Sequence, residues 1–227
     1  MQKLSNNGLK IIAMVTMVLD HVGVALFPGI PWLRILGRLA FPIYAFMIAE
    51  GCRHTRSMGR YWGAMAILAA ICQIVYFVAM DSLYMCILVT FSISIVLIWL
   101  LQKAESTKKD LWDFAFFAGV CGALFLCELL PHMLPRRDLY VDYGFIGVMV
   151  PVCIYMAKTR QAQMTATLSV LVVLSATSDS LQWWCLLAVP LLLMYNGQRG
   201  KWNLKWFFYL FYPIHLVVIQ GIAMLIQ

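Results

Sequence analysis

Long runs of apolar residues alternate with short polar segments along this chain of 227 residues. A helix needs about 20 mainly apolar residues to cross a bilayer, with a range of about 17–25. Nine runs approach this length, of which the sixth to eighth are short: 9–27, 33–51, 61–80, 83–101, 111–130, 144–157, 164–178, 182–196 and 205–226. The pattern predicts an all-α polytopic membrane protein. We expect one bundle of about nine transmembrane helices in a single domain, 1–227.

The first run contains two adjacent ionisable residues, Asp20 and His21. Titratable groups at membrane depth are costly unless they face the protein interior or a water-filled cavity, so they indicate function. Lys10 precedes His21 by eleven residues. At about 100° per residue, eleven steps return almost to the same helix face. The first helix is therefore predicted to carry a polar stripe.

Composition supports the membrane class. Hydrophobic residues make up 63% of the chain and charged residues 12%, with a mean hydropathy of +0.84. Soluble domains average about 25% charged residues. The net charge of +7 does not indicate nucleic acid, because the Lys and Arg residues fall between the apolar runs. The seven cysteines form no CxxC pair and no Cys/His cluster with metal spacing, so we expect buried free thiols and no metal.

The basic residues also predict an orientation. With the amino terminus in the cytoplasm, all but four of the 17 Lys and Arg residues lie in cytoplasmic segments, as the positive-inside rule requires. Nine spans then place the carboxyl terminus outside. The four exceptions lie toward the outer face, and they are Arg34, Arg38, Arg136 and Arg137.

This orientation gathers chemically useful side chains in the outer half of the membrane. Arg34 and Arg38 are four residues apart, so they share one helix face. The predicted outer layer comprises Asp20, His21, Arg34, Arg38, Glu128, His132, Asp142, Tyr143, Asp179 and His215. Only proximity in three dimensions would make these residues a site.

Four segments of the chain resemble the TraX family of membrane proteins. In family order they are LKIIAMVTMVLDHVGVALFP, LRILGRLAFPIYAFMIAEGCRHTR, VDYGFIGVMVP and FYLFYPIHLVVI. The named member of that family acetylates the amino terminus of conjugative pilin. The resemblance implies a multi-pass acetyltransferase of the bacterial cytoplasmic membrane that uses acetyl-coenzyme A. Its acceptor would be a pilin-like amino terminus or another extracytoplasmic amine or hydroxyl on a peptide, glycan or small molecule.

A second likeness is more distant. The spacing Lys10-x10-His21 is similar to the Arg-x10-His pattern on the first helix of the acyltransferase type 3 superfamily. Those polytopic enzymes move acyl groups from a cytoplasmic donor to extracytoplasmic acceptors. Lysine stands here where the pattern has arginine, so a bidentate contact would be lost.

Acyl transfer to an amine or alcohol needs a base, because the attacking group loses a proton. Histidine suits this role at neutral pH. Neighbouring residues on a helix diverge by about 100°, so we expect Asp20 to bind Arg34 or Arg38 rather than to orient His21. The alternative is a purely structural Asp20–Arg38 pair that joins two helices, with His21 bonded to a backbone carbonyl. The residues alone leave both interpretations open.

Ten residues are expected to form the site. Arginines suit phosphates, carboxylates and developing oxyanions, and basic residues at the cytoplasmic mouth suit a coenzyme A nucleotide. The predicted catalytic residues are His21, Asp20, Arg38 and His215, those that bind coenzyme A are Lys10, Arg53 and Arg56, and those that bind the acceptor are Arg34, Asp142 and Tyr143. The alternative assigns the arginines to the membrane interface and the cytoplasmic charge, and His215 to hydrogen bonding within the bundle.

Two other classes of function remain open at this point. In a proton-coupled transporter or flippase, the same polar layer would be a proton relay. In a non-catalytic pilus-assembly factor, the chain would hold a hydrophobic pilin in the membrane.

Overall fold

The computed structural model describes residues 3–80, 82–134, 138–198, 200 and 205–226. In these residues nine helices occur: α1 (Asn6–Ala25), α2 (Pro31–His54), α3 (Met58–Met80), α4 (Ile87–Thr107), α5 (Asp110–Met133), α6 (Gly144–Met156), α7 (Arg160–Ala176), α8 (Ser180–Leu193) and α9 (Lys205–Ile226). Each overlaps one predicted apolar run, so the all-α prediction is confirmed. Arg136 and Arg137 lie outside the described residues.

Five of these helices are long and apolar enough to cross a membrane. They are α1, α2, α3 over Met58–Val78, α4 and α5. Shorter apolar helices are α6, α8 and the Leu210–Ile226 part of α9. The lengths and compositions are those of a multi-pass membrane protein. The number of crossings and the end that faces the cytoplasm stay predictions.

Polar side chains cap the first turns of three helices. Ser5 accepts a hydrogen bond from the backbone N–H of Gly8 at the start of α1. Thr159 does the same for α7, and Asp179 for α8. Short oxygen-bearing side chains are favoured at these positions, because the first N–H groups of a helix have no partner within it.

Three helices change their geometry along their length. α2 is interrupted at Arg38 and Leu39. Pro42 explains this interruption, because it lacks an N–H and its ring would clash with the Arg38 carbonyl four residues earlier. α5 contains a π-helical turn, Phe125–Leu129, and α8 begins with the 3₁₀ stretch Ser180–Leu187. Such departures often mark functional sites.

The chain divides into two compact units. The first unit comprises Met1–Met47 and Thr159–Gln227, and the second comprises Ile48–Lys158. In the first unit, glycines bring α1 and α2 together. A Cβ atom on Gly37 would lie 2.3 Å from the Cβ of Asp20, and one on Gly23 would lie 2.9 Å from the Cβ of Leu33. No larger residue fits either position without moving a helix.

Helices α1 and α9 run in the same direction in the first unit. The Lys10 ammonium lies 5.4 Å from the ring centroid of Phe208, and further along both helices His21 meets His215. Two contacts that advance together along both helices define a parallel pair. A chain with nine crossings requires this relation between its first and last helices.

Helix α4 forms the core of the second unit, where Ile95, Leu97 and Ile98 are fully buried. The Ser94 hydroxyl donates to the carbonyl oxygen of Val148 in α6 at 2.8 Å. Hydroxyl groups that bond a neighbouring backbone in this way hold helices together in apolar surroundings.

Helices α3 and α5 expose large apolar side chains. Among them are Ile67 and Ile74 on α3 and Phe114 and Phe117 on α5. Extended apolar surface of this kind is unfavourable in water and suits a hydrocarbon solvent. It is the surface expected of helices that contact lipid.

The glycine contact between α1 and α2 can be tested by thermal unfolding in one detergent. We expect Gly37→Ala to destabilise the protein by about 1–3 kcal/mol, the usual cost of overpacking. Gly63→Ala on α3 is the matched control, because a Cβ there has no neighbour within 4 Å. Equal stability of the two variants would contradict the close approach of Gly37 to Asp20.

Candidate functional site

An ion pair joins α1 and α2 in the first unit. Arg38 Nη2 donates to both carboxylate oxygens of Asp20, at 2.8 and 2.9 Å. The side chains of Arg38 and Asp20 are only 11% and 19% exposed. Charges so far removed from water must be paired. Arg38 is therefore the closer of the two partners predicted for Asp20.

Arg34 approaches the same carboxylate from one helical turn away. Its Nε lies 3.8 Å from Asp20 Oδ1, and its side chain is 34% exposed. This contact is longer and more exposed to solvent than that of Arg38. The three side chains together carry a formal charge of +1, which attracts anions and electron-rich oxygens.

Two histidines meet between α1 and α9. His21 Nδ1 lies 2.9 Å from His215 Nε2, and the ring centroids are 5.0 Å apart. His215 is buried. The separation of the two nitrogens is that of a hydrogen bond, so one ring donates to the other.

A backbone carbonyl determines which ring donates. His215 Nδ1 lies 2.9 Å from the carbonyl oxygen of Phe211, and a carbonyl only accepts, so this Nδ1 carries hydrogen. A neutral His215 then has a lone pair at Nε2, to which His21 must donate from Nδ1. A neutral His21 in this tautomer has an unprotonated Nε2. That is the form a general base requires.

Gln182 belongs to this cluster, although the apolar pattern does not indicate it. Its side chain in α8 accepts a hydrogen bond from Arg38 Nη1 at 3.3 Å, and the residue is 2% exposed. The signal in the sequence is one amide at the start of the eighth apolar run, beside Trp183. An amide at a helix start is ordinary, and only the fold brings this one to Arg38.

Lys10 lies near the start of α1 in the first unit. Its ammonium lies over the ring of Phe208, which is the geometry of a cation–π contact. Eleven residues of helix separate Lys10 from His21, or about 16 Å along the axis. The structure therefore places these two predicted site residues at opposite ends of one helix.

Arg53 caps the carboxyl-terminal end of α6 in the second unit. Its Nη1 donates to Glu50 Oε1 at 2.7 Å. Its Nη2 donates to three carbonyl oxygens at the end of α6, those of Ile154, Tyr155 and Ala157. The last carbonyls of a helix need such partners. Arg53 thus has a structural role beside its predicted one, whereas Arg56 is exposed.

Asp142 and Tyr143 precede α6 in the second unit. The Asp142 backbone carbonyl accepts from Thr90 Oγ1 at 2.7 Å, and its carboxylate accepts from the Tyr84 hydroxyl. Burial first, and then this carboxylate, raises the pKa of Tyr84 above its usual range. Tyr143 adopts a left-handed conformation with φ of 60° at the N-cap of α6. Grouping either residue with His21 stays a prediction.

Two other residues of the predicted outer layer bond to backbone. Glu128 Oε1 accepts from the N–H of Phe145 at 2.9 Å, at the start of α6. His132 is exposed, and its Nδ1 lies 2.6 Å from the Glu128 carbonyl oxygen in its own helix. The described contacts thus give His132 a local partner and His21 a partner on another helix.

Comparison with known proteins identifies a family whose model matches most of the chain. The family model described as TraX protein matches residues 5–223. A probable fimbrial assembly protein, FimC of serogroup H1 from Dichelobacter nodosus, is 26% identical over 245 residues and covers 96% of each chain. An uncharacterized protein of Rickettsia prowazekii (strain Madrid E) is 42% identical over 38 residues, which are 17% of this chain and 15% of that protein. No solved structure matches.

The Asp20–Arg38 pair predicts non-additive effects on stability. Arg38→Met leaves the Asp20 carboxylate with only its longer contact to Arg34, and we expect a loss of about 3–5 kcal/mol in the free energy of unfolding. Adding Asp20→Asn should restore part of this loss, because the poorly paired charge disappears. The measurement is a double-mutant cycle of unfolding in detergent.

The exposed pair Lys158–Glu105 provides the control for that cycle. Its side chains are 62% and 44% exposed, so Glu105→Gln should cost no more than about 1 kcal/mol. Equal stability of Arg38→Met with and without Asp20→Asn would show that the buried pair does not carry the expected energy.

Proposed function

The chain belongs to the TraX family, and from that premise we propose that it is an integral-membrane acetyltransferase. It moves the acetyl group of acetyl-coenzyme A to an amine or hydroxyl acceptor. The family resemblance supports acetyl transfer as the reaction. The similarity to a relative named as a probable fimbrial assembly protein, over 96% of both chains, supports a pilin-like acceptor.

The observation that carries this proposal is the hydrogen-bond chain through His21. The Phe211 carbonyl and His215 together hold His21 in the tautomer with an unprotonated Nε2. In the proposed reaction the acceptor nitrogen or oxygen attacks the thioester carbonyl while Nε2 removes its proton. The carbon–sulfur bond then breaks, and coenzyme A leaves as a thiol once its sulfur takes up a proton.

His215 acts in this scheme as a positioning residue for the base. When His21 gains a proton it becomes an imidazolium, and its Nδ1–H bond to His215 Nε2 strengthens. The Phe211 carbonyl in turn holds the Nδ1–H of His215. The positive charge is therefore stabilised by oriented dipoles inside the protein, which need no reorganisation during the reaction.

The ion pair supplies electrostatic stabilisation beside the base. The charges of Asp20 and Arg38 both act on the His21 ring. Arg34 and Arg38 together outweigh Asp20 by one positive charge, which favours a developing oxyanion. Asp20 holds Arg38 in place rather than orienting His21.

Basic residues suit the phosphate groups of the donor. Among the predicted residues, the half-buried Lys10 and the exposed Arg56 keep this assignment in the proposal. Arg53 is assigned mainly to closing α6, because four hydrogen bonds to protein oxygens already engage its guanidinium.

The proposed location is the bacterial cytoplasmic membrane, with the amino terminus inside and the acceptor on the opposite side. The acceptor is a peptide, a glycan or a small molecule that carries an amine or hydroxyl. Asp142 and Tyr143 are proposed as acceptor contacts. A carboxylate at Asp142 would suit an acceptor that approaches as an ammonium.

Replacement of the proposed base provides the first test of function. His21→Ala should lower acetyl transfer from labelled acetyl-coenzyme A to a peptide with a free amino terminus by about 10²–10⁴-fold. The assay uses the purified protein in nanodiscs, and mass spectrometry detects the acetylated product.

His132→Ala is the matched control, because His132 is exposed and bonds its own helix. It should retain wild-type activity. Full transfer by His21→Ala would contradict the proposed base. A wild-type protein that moves solute with protons and forms no acetylated product would be a transporter instead.

The role of His215 as an acceptor for the His21 N–H predicts a rescue. His215→Phe removes the acceptor, and we expect kcat to fall by about 10–100-fold, a small part of the general-base contribution. His215→Gln can offer its amide oxygen to His21 Nδ1–H and should recover part of this loss. Equal kcat values for the two variants would contradict a hydrogen-bonding role for His215.

A further inference from the structure

Gln182 is held in one conformation by three neighbours. Its backbone N–H donates to Asp179 Oδ1 at 3.1 Å, and its backbone carbonyl accepts from Ser175 Oγ at 3.2 Å. Its side-chain Oε1 accepts from Arg38 Nη1 at 3.3 Å. Backbone and side chain are therefore both anchored in the first unit.

The guanidinium of Arg38 decides which side-chain atom of Gln182 is the oxygen. Arginine has donors only, so the amide oxygen must face it and Nε2 must point away. Nε2 is buried and has no hydrogen-bond partner among the described residues. The Cys185 thiol lies against this amide as its nearest potential acceptor, but sulfur accepts only weakly and leaves Nε2 largely unsatisfied.

An unpaired amide in a buried position needs an explanation. Leaving such a donor unsatisfied costs about 1–3 kcal/mol, and native proteins contain few examples. Nε2 can only donate, so a ligand that removes this cost must offer an acceptor atom with a lone pair, such as a carbonyl oxygen. The net charge of +1 on Asp20, Arg34 and Arg38 favours an oxygen that carries negative charge and disfavours a cation.

The contact with Arg38 also strengthens Gln182 as a donor. A guanidinium bonded to the amide oxygen draws electron density toward that oxygen and polarises the N–H bonds on the other side. Asp20 holds the guanidinium from its far side through Nη2. The three side chains form a continuous chain of hydrogen bonds from α1 through α2 to α8.

We propose that Gln182 Nε2 donates to the carbonyl oxygen of the acetyl thioester, which becomes an oxyanion when the acceptor attacks. This assignment rests on the proposed function and adds a residue to it. Gln182 is the catalytic residue of this contact, and Arg38 and Asp20 are its positioning residues. Loss of one oxyanion donor typically lowers kcat by about 10²–10³-fold.

Two substitutions separate this role from a structural one. Gln182→Glu keeps an oxygen for Arg38 but replaces the N–H donors with a second oxygen. Gln182→Met keeps the length of the side chain and removes both functions. We expect kcat for acetyl transfer to fall by at least about 10²-fold in both variants, with little change in KM. A structural role predicts instead that Gln182→Glu stays active and Gln182→Met does not.

Gln163→Met is the matched control, since Gln163 is a buried glutamine on α7 in the same unit. It tests whether any buried amide of this unit is needed. The variant should transfer acetyl groups at the wild-type rate. A 10²-fold loss in this control as well would contradict a specific role for Gln182.

A second measurement detects the contact without turnover. Acetyl-coenzyme A with a ¹³C-labelled carbonyl is bound to the His21→Ala protein in nanodiscs, and the carbonyl stretch is recorded by isotope-edited infrared spectroscopy. A hydrogen bond lowers this frequency. We expect the band to shift upward when Gln182→Met is added to the His21→Ala protein.

The outcomes distinguish a failure of the role proposed for Gln182 from a failure of the proposed acetyltransferase function. Transfer by the wild type, with an unchanged kcat in Gln182→Glu, would overturn the role of Gln182 and leave the acetyltransferase in place. Absence of both transfer and acetyl-coenzyme A binding in the wild type would overturn the acetyltransferase and the Gln182 assignment together. A carbonyl shift that depends on Gln182 without any transfer would support the contact and contradict the proposed reaction.

Discussion

Opposite charges in apolar surroundings constrain a structure more than any single apolar contact does, because neither charge can be left without the other. Asp20 and Arg38 form such a pair, and the first unit is arranged around it. Gly37 lets α1 approach closely enough for Asp20 to reach Arg38. The interruption of α2 before Pro42 falls at Arg38 itself, where the regular α-helix gives way to a turn. Through its other terminal nitrogen, Nη1, the Arg38 guanidinium donates to Gln182 and so links α8 to the ion pair.

The ion pair also sets the direction of His21. Successive residues on a helix point about 100° apart. With Asp20 directed at α2, His21 is turned toward another neighbour, and that neighbour is α9 with His215. A neutral imidazole and a backbone carbonyl orient the base here. In a membrane this arrangement costs less desolvation than a second buried carboxylate would. The carboxylate that is adjacent in sequence serves the arginine instead.

Much of this fold follows from periodicity and length, as the nine apolar runs and the nine described helices show. The ion pair also followed from the sequence, because a buried carboxylate needs a cation and Arg34 and Arg38 are the basic residues of the next apolar run. The partner of His21 did not, since the one partner that the sequence suggested for it was a backbone carbonyl. Parallel packing of α1 against α9, which are separated by almost the whole chain, brings His215 to His21 instead.

The role of Gln182 could not be predicted from the sequence for a different reason. An uncharged amide gives no signal of cost when it stands at the edge of an apolar run, and its role becomes visible only when the fold buries it against a guanidinium. For Arg53, by contrast, the sequence suggested a ligand contact where the structure shows contacts within the protein. Its charge and predicted position favoured a nucleotide contact, yet its hydrogen bonds are to Glu50 and to carbonyls that end α6.

The tautomer of His21 is the property on which the proposed chemistry depends, and solid-state ¹⁵N NMR of the histidine-labelled protein in lipid reports it directly. The chain contains four histidines, and spectra of a His21→Gln variant assign the signals of His21 by difference. We predict a neutral His21 ring with hydrogen on Nδ1 and a bare Nε2, bonded to a His215 ring that is also protonated at Nδ1. A His21 ring that carries hydrogen on Nε2 would contradict the proposed base.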